Sequence, residues 1–215
     1  MNEEPLVPVI KYSNKIRELP ITKRISLDYP LLCRDTVAKK LTYIAEKLPS
    51  GLHLQVDSAY RSKKTEQILW NSRKGIIPGL VINPNEGRSS HNTGGAVDVS
   101  LTNSGGEEIN LSDPFPKYYN EPFLISDKIN PKAQELRLVL NKLMLEQGFV
   151  AHPKEYWHFS YGDNRWSEQT KNPALYGGLE LGKARYFCTL TILYYKVLKK
   201  IERLVNKIFN VETNI

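Results

Sequence analysis

Residues 87–99 read GRSSHNTGGAVDV. The glycines Gly94 and Gly95 let a backbone turn tightly, and Ala96 to Leu101 then alternate as a strand, with Val97, Val99 and Leu101 on one side and Ala96, Asp98 and Ser100 on the other. A strand with one apolar face turns that face to a core. Its acid, Asp98, then points either into solvent or into a site. For His91 and Asp98 alone the solvated reading is favoured, because exposed acids are common.

Outward from this strand the chain alternates helices and strands. Asp35 to Leu48 is predicted helical, with Val37, Leu41, Ile44, Ala45 and Leu48 at helical spacing and Pro49-Ser50-Gly51 as its stop. Leu52 to Asp57 alternates as a strand. Ser62 caps a second helix running to about Arg73, ahead of Gly75. A Gly/Pro/Asn-rich loop leads into the opening stretch, and TNSGGEE after it reads as a hairpin connection. Residues 112–130 are irregular. Asn130 as N-cap and Pro131 at the first helical position open a further helix with a Leu136, Leu140, Leu143 stripe, ended by Gly148. YWHFSY is a last aromatic strand. The first thirty residues carry no clear pattern.

The chain has 215 residues, 40% hydrophobic and 25% charged, which describes a soluble globular protein large enough to bury a core without staples. Cys33 and Cys188 lie in no ligand spacing and read as free thiols. No secretion signal or membrane-length apolar run is visible, so the expected location is cytoplasmic. Of the net charge of +7, residues 183–215 carry seven Lys/Arg against Glu202 and Glu212. The basicity therefore belongs mostly to the tail, and a whole-surface nucleic-acid footprint is not supported. In that tail Leu190, Tyr194, Val197, Ile201, Leu204, Ile208 and Val211 follow a 4,3 spacing, widened by Leu193, Leu198 and Val205. This predicts a basic amphipathic helix, which can dock on its own domain, dimerise or lie on an anionic membrane.

Only four histidines are present. His53 on its strand and His152 before Pro153 read as surface or supporting histidines with ordinary hydrogen bonds. His158, among Tyr156, Trp157, Phe159 and Tyr161, can be a satisfied core imidazole. Glu155 lies three residues before it, and in a regular strand the two would point to opposite faces. For both to serve one site the backbone must turn near Glu155, which Pro153 allows. Taken together the pieces gain force. Two histidines and a carboxylate leave zinc an open fourth position for water, and a further glutamate can take the proton from that water. Arg61, in SAYRS, can stabilise oxyanion charge, being planar and always ionised.

SSHNTGGAVD fits S-x-H-x-x-G-x-A-x-D and EYWH fits E-x-W-H. With YRS upstream, their order and separation resemble the zinc D-alanyl-D-alanine peptidases, a family of D-Ala-D-Ala dipeptidases, D,D-carboxypeptidases and some endolysins. The resemblance covers about residues 30–182, and the expected organisation is a zinc peptidase domain over residues 1–182 followed by a basic amphipathic helical tail over 183–215. It implies an α+β fold: an antiparallel sheet with the zinc site on one face and helices on the other. It implies one Zn2+ held by His91, Asp98 and His158, Glu155 as general base, and Arg61 as stabiliser of the tetrahedral intermediate. Ser89 and Tyr60 would bind substrate. EYWHFSYGDNRW and NPALYG look like the dipeptidase branch, which implies hydrolysis of D-alanyl-D-alanine. SAYRSKKTEQ looks more like the carboxypeptidase branch, since Ser58 and Ser62 stand where the dipeptidases carry Asp and Pro. A D,D-carboxypeptidase or an endolysin-type peptidase acting on peptidoglycan peptides is therefore the alternative. A non-catalytic zinc-bearing binding module is a second one, against which Glu155 and Arg61 argue, since a pure binder needs neither.

Overall fold

In a computed structural model the described residues are 4–20, 23, 28, 30–73, 82–87, 89–112 and 129–179. The chain divides into two units, Met1–Leu179 and Glu180–Ile215. The second lies outside the described residues, and with it the predicted amphipathic helix. Among the described residues no helix is long and apolar enough to cross a membrane.

The alternation around Asp98 forms the central strand of a five-stranded sheet. We number strands β1 (Leu6–Pro8), β2 (Ile16–Glu18), β3 (Leu32–Arg34), β4 (Leu52–Ser58), β5 (Ala96–Asn103), β6 (Val150–His152) and β7 (Glu155–Ser160), and helices α1 (Asp35–Lys47), α2 (Lys63–Arg73), α3 (Pro131–Glu146) and α4 (Asn164–Thr170). The sheet order is β2-β4-β5-β7-β6, and β1 pairs with β3 in a separate two-stranded ribbon. The β4–β5, β5–β7 and β6–β7 pairs are antiparallel, but β2 runs parallel to β4. The expected antiparallel sheet is thus corrected to a mixed one. The connection permits it: β3 and α1 lie between β2 and β4, and parallel neighbours need a crossover of about that length.

Val97, Val99 and Leu101 are fully buried, in one core with Leu54 and Val56 of β4, Val37, Leu41 and Ile44 of α1, and Leu136, Leu140 and Met144 of α3. The helices therefore cover the apolar face of the sheet. The opposite face of β5 is also shielded: Asp98 is 8% exposed and Ser100 1%. The solvated reading of Asp98 falls on this observation. Farther along the same face the Ser100 hydroxyl donates to Asp57 Oδ1 (2.9 Å) and Gln55 Nε2 donates to the same oxygen at 2.9 Å, so the strip beyond Asp98 is polar and internally bonded.

The caps fall where the residue types place them. Asn130 Oδ1 accepts from Lys132 N at 2.8 Å, with Pro131 beginning α3. Ser62 Oγ accepts from Thr65 N at 3.3 Å at the start of α2. Gly148 adopts φ +78° just after α3. Ile109 N bonds Leu101 O at 2.8 Å, closing the hairpin predicted for TNSGGEE.

The N-terminal residues take part in this fold. Arg34, 3% exposed, donates from Nε to Thr93 O (2.7 Å), from Nη1 to Glu4 O and from Nη2 to Gly177 O. Glu4 in turn accepts from Thr36 N and from the Tyr176 hydroxyl. One buried guanidinium, satisfied by main-chain carbonyls, thus ties the two ends of the described unit to the turn that holds Thr93.

Candidate metal centre

Three elements bring the histidines and the acid together. β5 and β7 are neighbours, and Asp98 stands directly opposite His158 in their register. Directly opposed residues share a face, so both side chains project to the same side. His91 arrives from a 3₁₀ turn, Ser90–Thr93. Ser89 Oγ caps that turn by accepting from His91 N at 3.3 Å, and Gly94 ends it at φ +74°, in the left-handed region. Gly95 is needed for another reason. Any Cβ there would run into the Tyr161 carbonyl oxygen, while Tyr161 N bonds Gly95 O at 3.0 Å. The glycine pair thus folds the turn down onto the end of β7.

The result is a triangle. His158 Nδ1 lies 2.9 Å from Asp98 Oδ1, His91 Nε2 lies 3.1 Å from His158 Nδ1, and His91 Nε2 lies 3.3 Å from Asp98 Oδ1. His91 Nδ1 is 2.8 Å from the Ala59 carbonyl, which can only accept, so the ring proton sits on Nδ1 and Nε2 presents a lone pair to the centre. Ser90 Oγ (3.2 Å) and Ser160 Oγ (3.4 Å) stand at His158 Nε2, the outer nitrogen of that ring. That lone pair, a carboxylate oxygen and a second ring nitrogen converge on one point, a donor set that a cation can bridge. With metal–ligand distances of about 2.0–2.1 Å, one face of a tetrahedron has edges of about 3.3–3.4 Å, and the triangle is close to that size. The donor set therefore fits a single tetrahedral metal ion, and these three residues are the group among the described residues that can hold one.

The protonation states suit the same task. Burial pushes His91 down to about 4, with the charge of Arg61 adding to it, so the imidazole is neutral at neutral pH. Burial pushes Asp98 up, but the paired Arg61 guanidinium and the hydrogen bond with His158 outweigh it and hold the carboxyl well below its ordinary range. A neutral imidazole and an ionised carboxylate are the forms that bind metal.

Around the triangle stand the other residues singled out in the sequence. Arg61 Nη2 is paired with Asp98 Oδ2, and Arg61 Nε donates to Ser58 Oγ at 2.8 Å. Ser58 reaches this position because a register shift after Val56 sets Ser58, not Asp57, opposite Asp98. Glu155 Oε2 lies 3.8 Å from His158 Nδ1, outside hydrogen-bond reach, and burial raises its pKa above the ordinary glutamate value. The turn required near Glu155 is present: the β6–β7 register slips between Ala151 and His152, so His152 pairs with Glu155. Tyr60 is 1% exposed, and its hydroxyl donates to the Leu179 carbonyl at 3.2 Å. Besides capping the turn, Ser89 bears on the buried Glu66 carboxyl, whose pKa burial raises and Ser89 lowers. His53 pairs with Thr102 at the far end of β4, away from the cluster.

Several neighbours escape sequence reasoning. Ala59 contributes a main-chain carbonyl, which no side-chain pattern reveals. His152 is half-buried, its ring 5.5 Å from that of His158 and its Nδ1 4.0 Å from Glu155 Oε2. Its position three residues before Glu155 was the available signal. Glu66 and Arg165 belong to no motif.

A three-ligand set with a spare, unligated carboxylate beside it is how a metallopeptidase centre is built. Residues 21–174 match the sequence model of the family described as D-ala-D-ala dipeptidase, and the chain belongs to that family. It is 30% identical over 129 residues to the D-alanyl-D-alanine dipeptidase of Escherichia coli, covering 60% of this chain and 65% of that protein. It is 32% identical over 90 residues to the D-alanyl-D-alanine dipeptidase of a Synechocystis species, covering 37% and 36%. The matches thus span less than two thirds of these relatives.

Proposed function

We propose that the protein is a zinc-dependent dipeptidase that hydrolyses D-alanyl-D-alanine. The observation that carries this reading is the His91–Asp98–His158 triangle with Glu155 unbonded at its side. In it, these three residues hold the ion, and the set of two imidazoles and one carboxylate favours zinc with one position open. When bound, zinc supplies Lewis-acid polarisation and a more acidic water.

The chain's own residues do the rest. Glu155, kept basic enough by burial, takes a proton from the attacking water and returns it to the departing amine nitrogen. Arg61, with Nε on Ser58 and Nη2 on Asp98, is rigidly held, and its Nη1 edge serves the negative charge that develops on the scissile carbonyl oxygen. Ser90 and Ser160 fix the His158 ring, and the Ala59 carbonyl fixes that of His91.

The test compares purified, zinc-loaded protein on D-Ala-D-Ala, an L-Ala-D-Glu peptide and a pentapeptide ending in D-Ala-D-Ala. Fastest release of D-alanine from the free dipeptide is expected. A faster rate on the pentapeptide would move the protein to the carboxypeptidases, and cleavage of the L-Ala-D-Glu bond to the endolysins.

A further inference from the structure

One cation near the centre has no task in the mechanism above. α4 lies along β6: Trp166 Nε1 donates to Gly148 O at 2.9 Å and Gln169 Nε2 to Ala151 O at 3.4 Å. Arg165 stands one turn before Gln169 on the same face of α4, so that docking turns it to the side of β6, which continues from Ala151 into His152, and its positive charge favours the neutral form of His152 and the ionised form of Glu155. Its Nε is buried with no hydrogen-bond partner. Asp163 does not hydrogen-bond it: Asp163 Oδ1 caps α4 through Trp166 N and Oδ2 has no partner. Arg61, the other guanidinium near Glu155, is already engaged by Asp98 and Ser58. A guanidinium presents donors in a fixed fork that matches a carboxylate, and leaving a buried donor unmet is costly.

Covalent chemistry says where a carboxylate would arrive. In a dipeptide, or at the end of a longer peptide, the leaving residue is a free α-amino acid once cut. Its nitrogen, which must come to Glu155 for its proton, and its carboxylate are bonded to the same carbon. A cation that holds that carboxylate has to stand in the neighbourhood of Glu155.

We propose that Arg165 binds the free α-carboxylate of the leaving residue and so restricts the site to substrates cut at a free C-terminus. This rests on the peptidase reading. His152 lines the same side as a neutral ring: its Nδ1 accepts from Lys154 N at 3.2 Å, which leaves the ring proton on Nε2.

The test uses full-length, zinc-loaded wild type, Arg165→Gln and Arg165→Lys with D-Ala-D-Ala and its C-terminal amide. Turnover is followed by D-alanine or D-alaninamide release, and binding by calorimetry. Wild type is expected to prefer the acid. Arg165→Gln should raise KM and Kd for the acid by about 10–100-fold with little change for the amide, and Arg165→Lys should restore part of the preference. Zinc content and melting temperature serve as controls, and the lysine variant keeps the test valid if glutamine disturbs α4. An unchanged acid-over-amide preference in Arg165→Gln, or equal losses on both compounds, overturns the proposal. So does the absence of any binding preference in wild type. Preferential binding of the acid that Arg165→Gln abolishes, without turnover of either compound, would sustain the carboxylate site and strike only the peptidase reading.

Discussion

Asp98 and His158 face each other across adjacent antiparallel strands, with Oδ1 2.9 Å from Nδ1. A strand pair fixes that separation without help from loops, so two corners of the triangle belong to the rigid sheet. The third, His91, depends on a four-residue 3₁₀ turn and on the glycines behind it. The centre is therefore as strong as that turn.

Replacing His91 with alanine removes one corner and leaves two. Metal analysis of purified His91→Ala should show loss of the ion that wild type retains through gel filtration. Added zinc should raise the wild-type melting temperature, as any ligand of the folded state does, and raise that of the variant much less. Full occupancy in the variant would refute the ligand assignment.

The Glu155 side chain makes no hydrogen bond that the fold needs. Glu155→Gln should lower D-alanine release by about 10²–10⁴-fold while zinc content and melting temperature stay near wild type. Activity close to wild type would remove Glu155 from the proton-transfer role and leave the metal assignment standing.

Gly95 is tested through its missing Cβ. An alanine there would strike the Tyr161 carbonyl and crowd Thr93 Oγ1 at 3.1 Å and Tyr176 Cδ2 at 3.2 Å. Overpacking of this kind costs about 1–3 kcal/mol. A denaturation curve of Gly95→Ala should show that loss, with weakened zinc affinity because His91 sits on the displaced turn. A stable variant with normal affinity would mean that the turn is softer than its packing implies.

Glu66 gives a prediction in pH. Burial holds its carboxyl above the ordinary value of 4.5, against the hydrogen bond from Ser89 and the charge of Arg61. The folded protein thus keeps this proton to a higher pH than the unfolded chain does. The stabilisation is complete below 4.5 and is lost as pH rises through the folded value. Glu66→Gln has no proton to lose and retains an acceptor for Ser89. Its denaturation midpoint should exceed that of wild type at neutral pH, and the gap should close toward pH 4 and below. A variant less stable at neutral pH would show that the charge is needed there.

Much of this architecture is legible in the sequence because long periodic segments report burial directly. α1, β4, β5 and α3 each carry enough residues for a pattern, and Asn130-Pro131 marks a helix start by chemistry alone. β1, β2 and β3 have three residues each, too few for any alternation to stand out. The parallel pairing of β2 with β4 needs a crossover whose beginning, in a three-residue strand, leaves no pattern. α4, seven residues long after an aromatic strand, is too short to carry a pattern either. Within the site, His91, Asp98, Glu155 and His158 become readable only as a set, since each alone has a plain structural explanation. Tertiary proximity decides the remainder: His152 comes to the centre because β6 pairs with β7, α4 docks on β6, and no local pattern encodes either.

The Arg34 clasp bears on where this protein can be cut. The family match begins at residue 21 and stops at residue 174, yet Glu4, Tyr176 and Gly177 all meet at that one guanidinium, which also grips Thr93 two residues from His91. The boundaries of shared ancestry and the boundaries of mechanical integrity are therefore different here. A fragment trimmed to the former would keep every residue assigned to chemistry and lose the buttress that sets one of them in place.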